Sequence, residues 1–129
     1  MSGAGSLPGF EEPHLAQAIE RLSEDQINQL PFGAIRLDSN DAVMLFSEAE
    51  SRLSGWGERP RLGRKFFTEI APCMGNPGFL GRIERALAAG SLDLEFTHVG
   101  DFSDRDREMS VRVQSATGGG YWIFIRRDS

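Results

Sequence analysis

Tyr121-Trp122-Ile123-Phe124-Ile125 is apolar at every position, so a strand built from it has no face left for water. A strand solvated on one side alternates apolar and polar residues, whereas one covered on both sides does not. Gly118-Gly119-Gly120 turns the chain into this segment. Upstream, Met109, Val111 and Val113 alternate with Ser110, Arg112 and Gln114, and Leu92, Leu94, Phe96 and His98 alternate with Asp93, Glu95 and Thr97. These patterns predict three antiparallel strands, the last of them central, with the charged loop Val99 to Glu108 between the first two.

Gly33-Ala34-Ile35-Arg36-Leu37-Asp38 predicts another strand, and Asp38-Ser39-Asn40-Asp41 a turn. Ala42-Val43-Met44-Leu45-Phe46 returns, apolar on both faces, as in a covered hairpin. Ser47-Glu48-Ala49-Glu50 has capping-box form and opens a helix that Gly55 stops. Trp56 to Arg64 reads as a loop. Asn76-Pro77 supplies a cap and a first-turn proline for a helix carrying Phe79, Leu80, Ile83 and Leu87, which Gly90 ends.

Residues 1–12 are rich in Gly, Ser and Pro. Leu15, Ala18, Ile19 and Leu22 then mark one helix. Ser23-Glu24-Asp25-Gln26 caps a second with Ile27 and Leu30 on its apolar side, and Pro31 ends it. Helices this short are unstable alone. Residues 1–30 are therefore expected to form a cap on a core of residues 31–129, within one domain. The fold class is α+β: a five-stranded antiparallel sheet with helices on one face and the cap on the other.

A chain of 129 residues fits one domain. Its net charge of −5 argues against nucleic acid, because phosphate binding needs clustered basic residues. No stretch approaches the roughly 20 apolar residues needed to span a bilayer. The start lacks the basic and apolar signature of a secretory leader. A cytoplasmic monomer or weak dimer that binds neither membrane nor nucleic acid is the expectation. His14 is isolated and carries no metal signal.

Cys73 is the only cysteine. It cannot form a disulfide within the chain, which leaves a small core residue or a reactive thiol. The run around it is Gly63-Arg64-Lys65-Phe66-Phe67-Thr68-Glu69-Ile70-Ala71-Pro72-Cys73. Together with Pro31 to Asp38 and Tyr121 to Arg127, this run resembles the photoactive yellow protein family, blue-light receptors of the PAS superfamily. The similarity extends from about residue 13 to residue 127.

The resemblance implies a PAS-like fold and p-coumaric acid attached to Cys73 as a thioester. It implies that Glu50 is a buried, protonated carboxyl that hydrogen-bonds the chromophore phenolate and gives up its proton after light. Burial favours such a neutral carboxyl. The alternative for Glu50 is the capping box, where it is the fourth residue. Ser54 matches a threonine supporting the same hydrogen-bond network, and Phe66 matches a pocket aromatic. Tyr121 and Trp122 read as core.

Three positions depart from the family pattern. Phe46 stands where a tyrosine usually donates a second hydrogen bond to the phenolate, so one donor is missing. Trp56 replaces an arginine over the pocket and brings an indole without a charge. His98 stands at a pocket-side phenylalanine position and its alternation points it inward. The loop Val99 to Glu108 lacks the methionine associated with rapid dark recovery, and Phe102 is its nearest large apolar residue, so slower recovery is implied.

The leading expectation is a blue-light photoreceptor, not an enzyme, acting on a downstream signalling protein that the sequence does not identify. The alternative is a chromophore-free PAS-like module that binds a ligand or a protein. A thiol-redox sensor is the weaker reading, because no second cysteine can resolve an oxidised Cys73.

Overall fold

The computed structural model describes residues 7–90, 92–99 and 107–127. The chain runs through helices α1 (Leu15–Glu20) and α2 (Glu24–Ile27), strands β1 (Gly33–Leu37) and β2 (Val43–Phe46), and helix α3 (Glu48–Ser54). A π-helical turn (Phe66–Ile70), a 3-10 turn (Pro72–Met74) and helix α4 (Leu80–Ala88) lead into β3 (Asp93–Val99), β4 (Glu108–Ser115) and β5 (Tyr121–Arg127). The strands form one antiparallel sheet in the order β2-β1-β5-β4-β3, so the apolar segment 121–125 is central.

Strand alternation divides β5 between two cores. Tyr121, Ile123 and Ile125 join Phe46, Phe66, Phe67, Ile70, Phe79 and Ile83 under the helices that follow β2. Trp122 and Phe124 join Phe10, Leu15, Ile19, Ile27, Leu30 and Phe32 under the N-terminal segment. The cap thus covers the sheet face opposite the long helix. Each fully buried Ile, Leu or Phe in these layers contributes about 1.5–3 kcal/mol of transfer free energy.

Polar residues fasten the cap. Arg112, on the cap side of β4, donates from Nη1 to the carbonyls of Phe10 (2.7 Å) and Glu12 (2.6 Å), and from Nη2 to that of Pro13 (3.2 Å). Gln114 donates to the Pro13 carbonyl (3.0 Å) and accepts from the Ala16 N–H (2.8 Å). The Glu20 carboxylate accepts from the Thr117 N–H (2.9 Å), the Thr117 hydroxyl (2.7 Å) and the Trp122 indole (2.9 Å). Burial opposes ionisation of Glu20, but these bonds and the charge of Arg36 outweigh it and hold its pKa below the usual carboxylate value.

A depressed carboxylate pKa stabilises the fold above the unfolded-state value and ceases to do so as pH falls through the folded-state value. Docking of α1 is therefore expected to be full at neutral pH and to weaken below about pH 4.5. Amide exchange in α1 followed from neutral to acid pH checks this. The Glu20→Gln variant should show a flatter pH response, and an identical acid response in both proteins would contradict the assignment.

Several local expectations need correction. Helix α4 begins at Leu80, not Pro77: the Asn76 side chain does accept from the Phe79 N–H (3.0 Å), but the chain between them is a turn. Leu87 is 49% exposed, because the buried face of this helix is short and ends near Ile83. β2 lies at the sheet edge; Val43 and Phe46 pack into the helix-side core and Leu45 against the cap-side one, so both faces are covered, and only Met44, 53% exposed, departs from that expectation. The capping box at Ser23 forms in full, with both reciprocal bonds. Phe102 and most of its loop lie outside the described residues, as do residues 1–6. Among the described residues no helix is long and apolar enough to cross a membrane.

Candidate functional site

Helix α3 is tied to β1 at its first residue. The Ser47 N–H donates to the Ala34 carbonyl (2.9 Å), while the Ser47 hydroxyl accepts from the N–H groups of Ala34 (3.0 Å) and Glu50 (3.2 Å). Only this half of the expected capping box forms, because the Glu50 side chain turns into the core instead of back to the cap. Its carboxylate is fully buried and accepts two bonds from Arg127, Nη1 to Oε1 at 2.8 Å and Nη2 to Oε2 at 2.9 Å. The Arg127 side chain is 1% exposed. Gly33 makes this seating possible, since a Cβ there would run into Glu50 Oε1.

Ser54, at the other end of α3, is fully buried and its hydroxyl accepts from the Trp56 N–H (3.2 Å). Gly55 follows in the left-handed conformation (φ 85°), which ends the helix and turns Trp56 toward the core. Trp56 packs on the rim of the cluster that holds Phe46 and Phe66. The positive charge that an indole lacks is supplied beside it. The Arg59 guanidinium lies over the Trp56 ring at 4.2 Å and donates to the Trp56 carbonyl, and Arg61 lies 5.5 Å from the Phe46 ring centre. Such cation–ring contacts contribute about 0.5–1 kcal/mol at partly exposed sites.

The run before Cys73 is more contorted than hydrophobic spacing alone suggests. The Ala71 N–H reaches back five residues to the Phe66 carbonyl (2.7 Å), a π-helical closure that buries Phe66, Phe67 and Ile70 together. Single π turns of this kind concentrate at functional sites. Pro72, Cys73 and Met74 then form the tight turn, with Met74 fully buried; the Cys73 side chain lies outside what the structure describes. From Phe66 an aromatic row runs through Phe67 (5.0 Å between ring centres) and Phe79 (6.2 Å) to Phe96 (5.4 Å) and His98 (5.0 Å).

His98 does share the inward side of β3 with Leu94 and Phe96. It meets the cluster through the face of Phe79, half-buried. Burial, followed by the charge of Arg82, lowers its pKa below the ordinary imidazole value, so the ring is neutral at neutral pH. Tyr121 is core, as expected: burial and then the hydrogen bond of its hydroxyl to Asp41 (2.8 Å) raise its pKa well above that of a free phenol.

Phe46, Phe66 and Trp56 are thus gathered around one apolar cluster, with the buried oxygens of Glu50 and Ser54 on the helix beside it. Sequence reading missed Arg127, Gly33 and Arg112. Arg127 was accessible in principle, because it continues the inward alternation of Ile123 and Ile125, where a charge demands a buried partner.

A five-stranded antiparallel sheet with helices on one face and an N-terminal cap on the other is a PAS-type fold. The PAS domain of a Colwellia psychrerythraea protein shares this fold, with a TM-score of 0.63 over 85% of this chain and 97% of that one at 10% identity. The photoactive yellow protein of Rhodothalassium salexigens is 34% identical over 119 residues, 92% of this chain and 95% of the relative. That of Halochromatium salexigens is 31% identical with the same coverage. The photoactive yellow protein domain of the sensor histidine kinase Ppr from Rhodospirillum centenum superposes with a TM-score of 0.75 at 36% identity, over 86% of this chain and 98% of that domain. No family model matches the chain. The chain belongs to the photoactive yellow protein family.

Proposed function

We propose that this chain is a blue-light photosensor, not an enzyme, with p-coumaric acid held as a thioester on Cys73. The observation that supports this most strongly is a fully buried carboxyl and a fully buried hydroxyl, Glu50 and Ser54, beside an otherwise apolar aromatic cluster in a member of this family. Buried oxygens of this kind suit the phenolic end of such a ligand, and Phe46, Phe66 and Trp56 suit its ring. When bound, the pigment supplies blue absorption and a trans–cis isomerisation.

The chain's own residues do the rest. The Cys73 thiolate attacks an activated p-coumaroyl carbonyl, the activating group leaves, and the thiol proton goes to solvent. Glu50 is the group that exchanges a proton at the phenolic end. As a neutral acid it donates a hydrogen bond to a phenolate, and after light it yields that proton. A carboxylate left buried costs several kcal/mol unless the structure relaxes around it. Loosening of the cap, residues 1–30, is the proposed outlet, and altered contacts of the cap and the sheet face beneath it are the proposed signal to a partner.

Phe46 offers the phenolate no hydroxyl, which favours the neutral phenol relative to a tyrosine-bearing relative. Reconstitution with activated p-coumaric acid is expected to add the p-coumaroyl mass at Cys73. It should also give two absorption bands, a yellow phenolate and a shorter-wavelength phenol, that interconvert between about pH 5 and pH 9. One unshifted band across that range would refute the role given to Phe46. Neither mass gain nor visible band would return the chain to the chromophore-free ligand-binding or interaction modules.

A further inference from the structure

We propose that Gly33 is a positioning residue of the site: the side-chain place it leaves empty on β1 is the seat of the Glu50 carboxyl group, and filling that place expels the group. The inference deepens the photosensor reading and rests on it for its meaning, but the seat itself can be tested without pigment.

Glycine is an unfavourable choice in a strand, because it loses more backbone freedom on folding than other residues and has no side chain to pack. It is required where φ is left-handed. Several glycines of this chain adopt such angles, Gly55 and Gly120 among them, but Gly33 does not. Its backbone is ordinary strand, buried and paired with Ile125 of the central strand. Any residue could adopt that conformation, so what position 33 supplies is room.

One group takes up the room. Alternation puts position 33 on the same side of β1 as Ile35 and Leu37, which belong to the helix-side core. A Cβ there would lie 3.2 Å from the Glu50 Cβ and 3.0 Å from its Cδ, and would overlap Oε1. Ordinary carbon contacts are about 3.5–4.0 Å. A small shift relieves the contact between the two Cβ atoms, but not the overlap with the carboxyl group. The helix is held from retreating: Ser47 donates its N–H to the Ala34 carbonyl (2.9 Å), and its hydroxyl accepts from the Ala34 N–H (3.0 Å). Strand and helix are thus clamped one residue from Gly33, and the Glu50 side chain is the part that yields. The argument holds for either protonation state of Glu50.

The chain therefore gives up strand stability at position 33 for the placement of one acid. Local rules are broken in this way at functional positions. In the proposed photosensor a seated carboxyl group meets the phenolic end of the pigment, and an expelled one does not.

A double-mutant cycle on the apoprotein decides the matter, with Gly33→Ala, Glu50→Ala and the double variant compared by denaturant unfolding. With Glu50 in place, Gly33→Ala should lower the folding constant at least about tenfold, because the added methyl group overpacks the seam. In the Glu50→Ala background the same change should leave the constant unaltered or raise it roughly two- to five-fold, the usual gain from replacing a glycine in unstrained backbone. Equal effects in the two backgrounds would overturn the proposal. If Gly33→Ala does not fold, a folded double variant supports the seat, and a double variant that fails while Glu50→Ala folds counts against it. The pigment gives a readout that a merely structural role would not move. In loaded protein Gly33→Ala should raise the pH midpoint between the yellow and shorter-wavelength bands by about one unit, because the phenolate loses a hydrogen bond. An unmoved midpoint would refute the seat, and this measurement decides it should Glu50→Ala itself not fold. Failure of the wild type to take up pigment would refute the photosensor reading, and the apoprotein cycle would still decide whether Gly33 seats Glu50.

Discussion

Replacing Cys73 with alanine is expected to abolish pigment attachment completely. The chain has no other cysteine, and no other side chain combines comparable nucleophilicity at neutral pH with the capacity to form a stable thioester. Treated with activated p-coumaric acid, Cys73→Ala should gain no thioester mass and show no band in the visible, while the wild type gains one equivalent. The fold should persist, because the turn at Pro72–Met74 is closed by backbone bonds, Met74 N–H to Ala71 and Gly75 N–H to Pro72, that do not involve the sulfur. Far-ultraviolet circular dichroism and amide exchange in the sheet provide the control. A visible band that survives in the alanine variant would place the pigment elsewhere and dismantle the photosensor proposal.

The second large effect is expected at Arg112→Ala. Three cap carbonyls, those of Phe10, Glu12 and Pro13, converge on one buried guanidinium. Hydrogen bonds to a charged group contribute about 1.5–3 kcal/mol each. Part of that is offset by the cost of burying the guanidinium and by water that enters once it is gone. A net loss of about 3 kcal/mol in cap docking is a reasonable expectation, and it corresponds to an increase of roughly 100-fold in the opening equilibrium. Amide exchange in α1 should therefore accelerate by about two orders of magnitude, while amides of β5 facing β1 change far less. Gln114→Ala removes only neutral bonds to the cap, its remaining bond running to the Asp93 carboxylate on β3 (3.1 Å), and should cost cap docking only about 1 kcal/mol. Equal acceleration in cap and sheet after Arg112→Ala would mean that the cap does not open as a separate unit.

These residues mark the limits of reading the fold from sequence. The apolar run 121–125 was enough to place a central strand between two covered layers, and alternation gave the facing of β3 and β4 correctly. Caps were legible where the bonds are local, as at Ser23. They misled where a distant partner competes: Glu50 has the spacing of a capping residue, but Arg127 lies 77 positions away in the chain and takes both its oxygens. The same blindness hid Arg112 and Gln114, whose polar alternation suggests solvent until a cap covers them. Met44 and Leu87 failed in the opposite sense, since apolar character does not compel burial at an edge strand or on the last turn of a helix. The π turn before Cys73 left no periodic trace, because one extra residue in a single turn is too short to register as a period.

For the site, Phe46, Phe66, Trp56, Ser54 and Glu50 were nominated by resemblance, and the structure adds what surrounds each of them. Trp56 carries its own arginine, Arg59. Glu50 carries a counter-charge. His98 is a neutral edge packed against Phe79, two rings removed from Phe66.

Arg126 and Arg127 are consecutive, so the pleat sends them to opposite sides of the sheet. Arg127 grips Glu50, while Arg126 bonds Glu11 (2.9 Å) and lies over the ring of Phe10 at 4.7 Å. A single peptide unit therefore joins the interior charge to the outer covering. Any roll of that last stretch of strand that frees one arginine tilts the other, because a rigid planar amide leaves the pair few independent torsions. In the proposed photosensor, that strand end is where a change of charge on one side of the sheet would be felt as slack on the other.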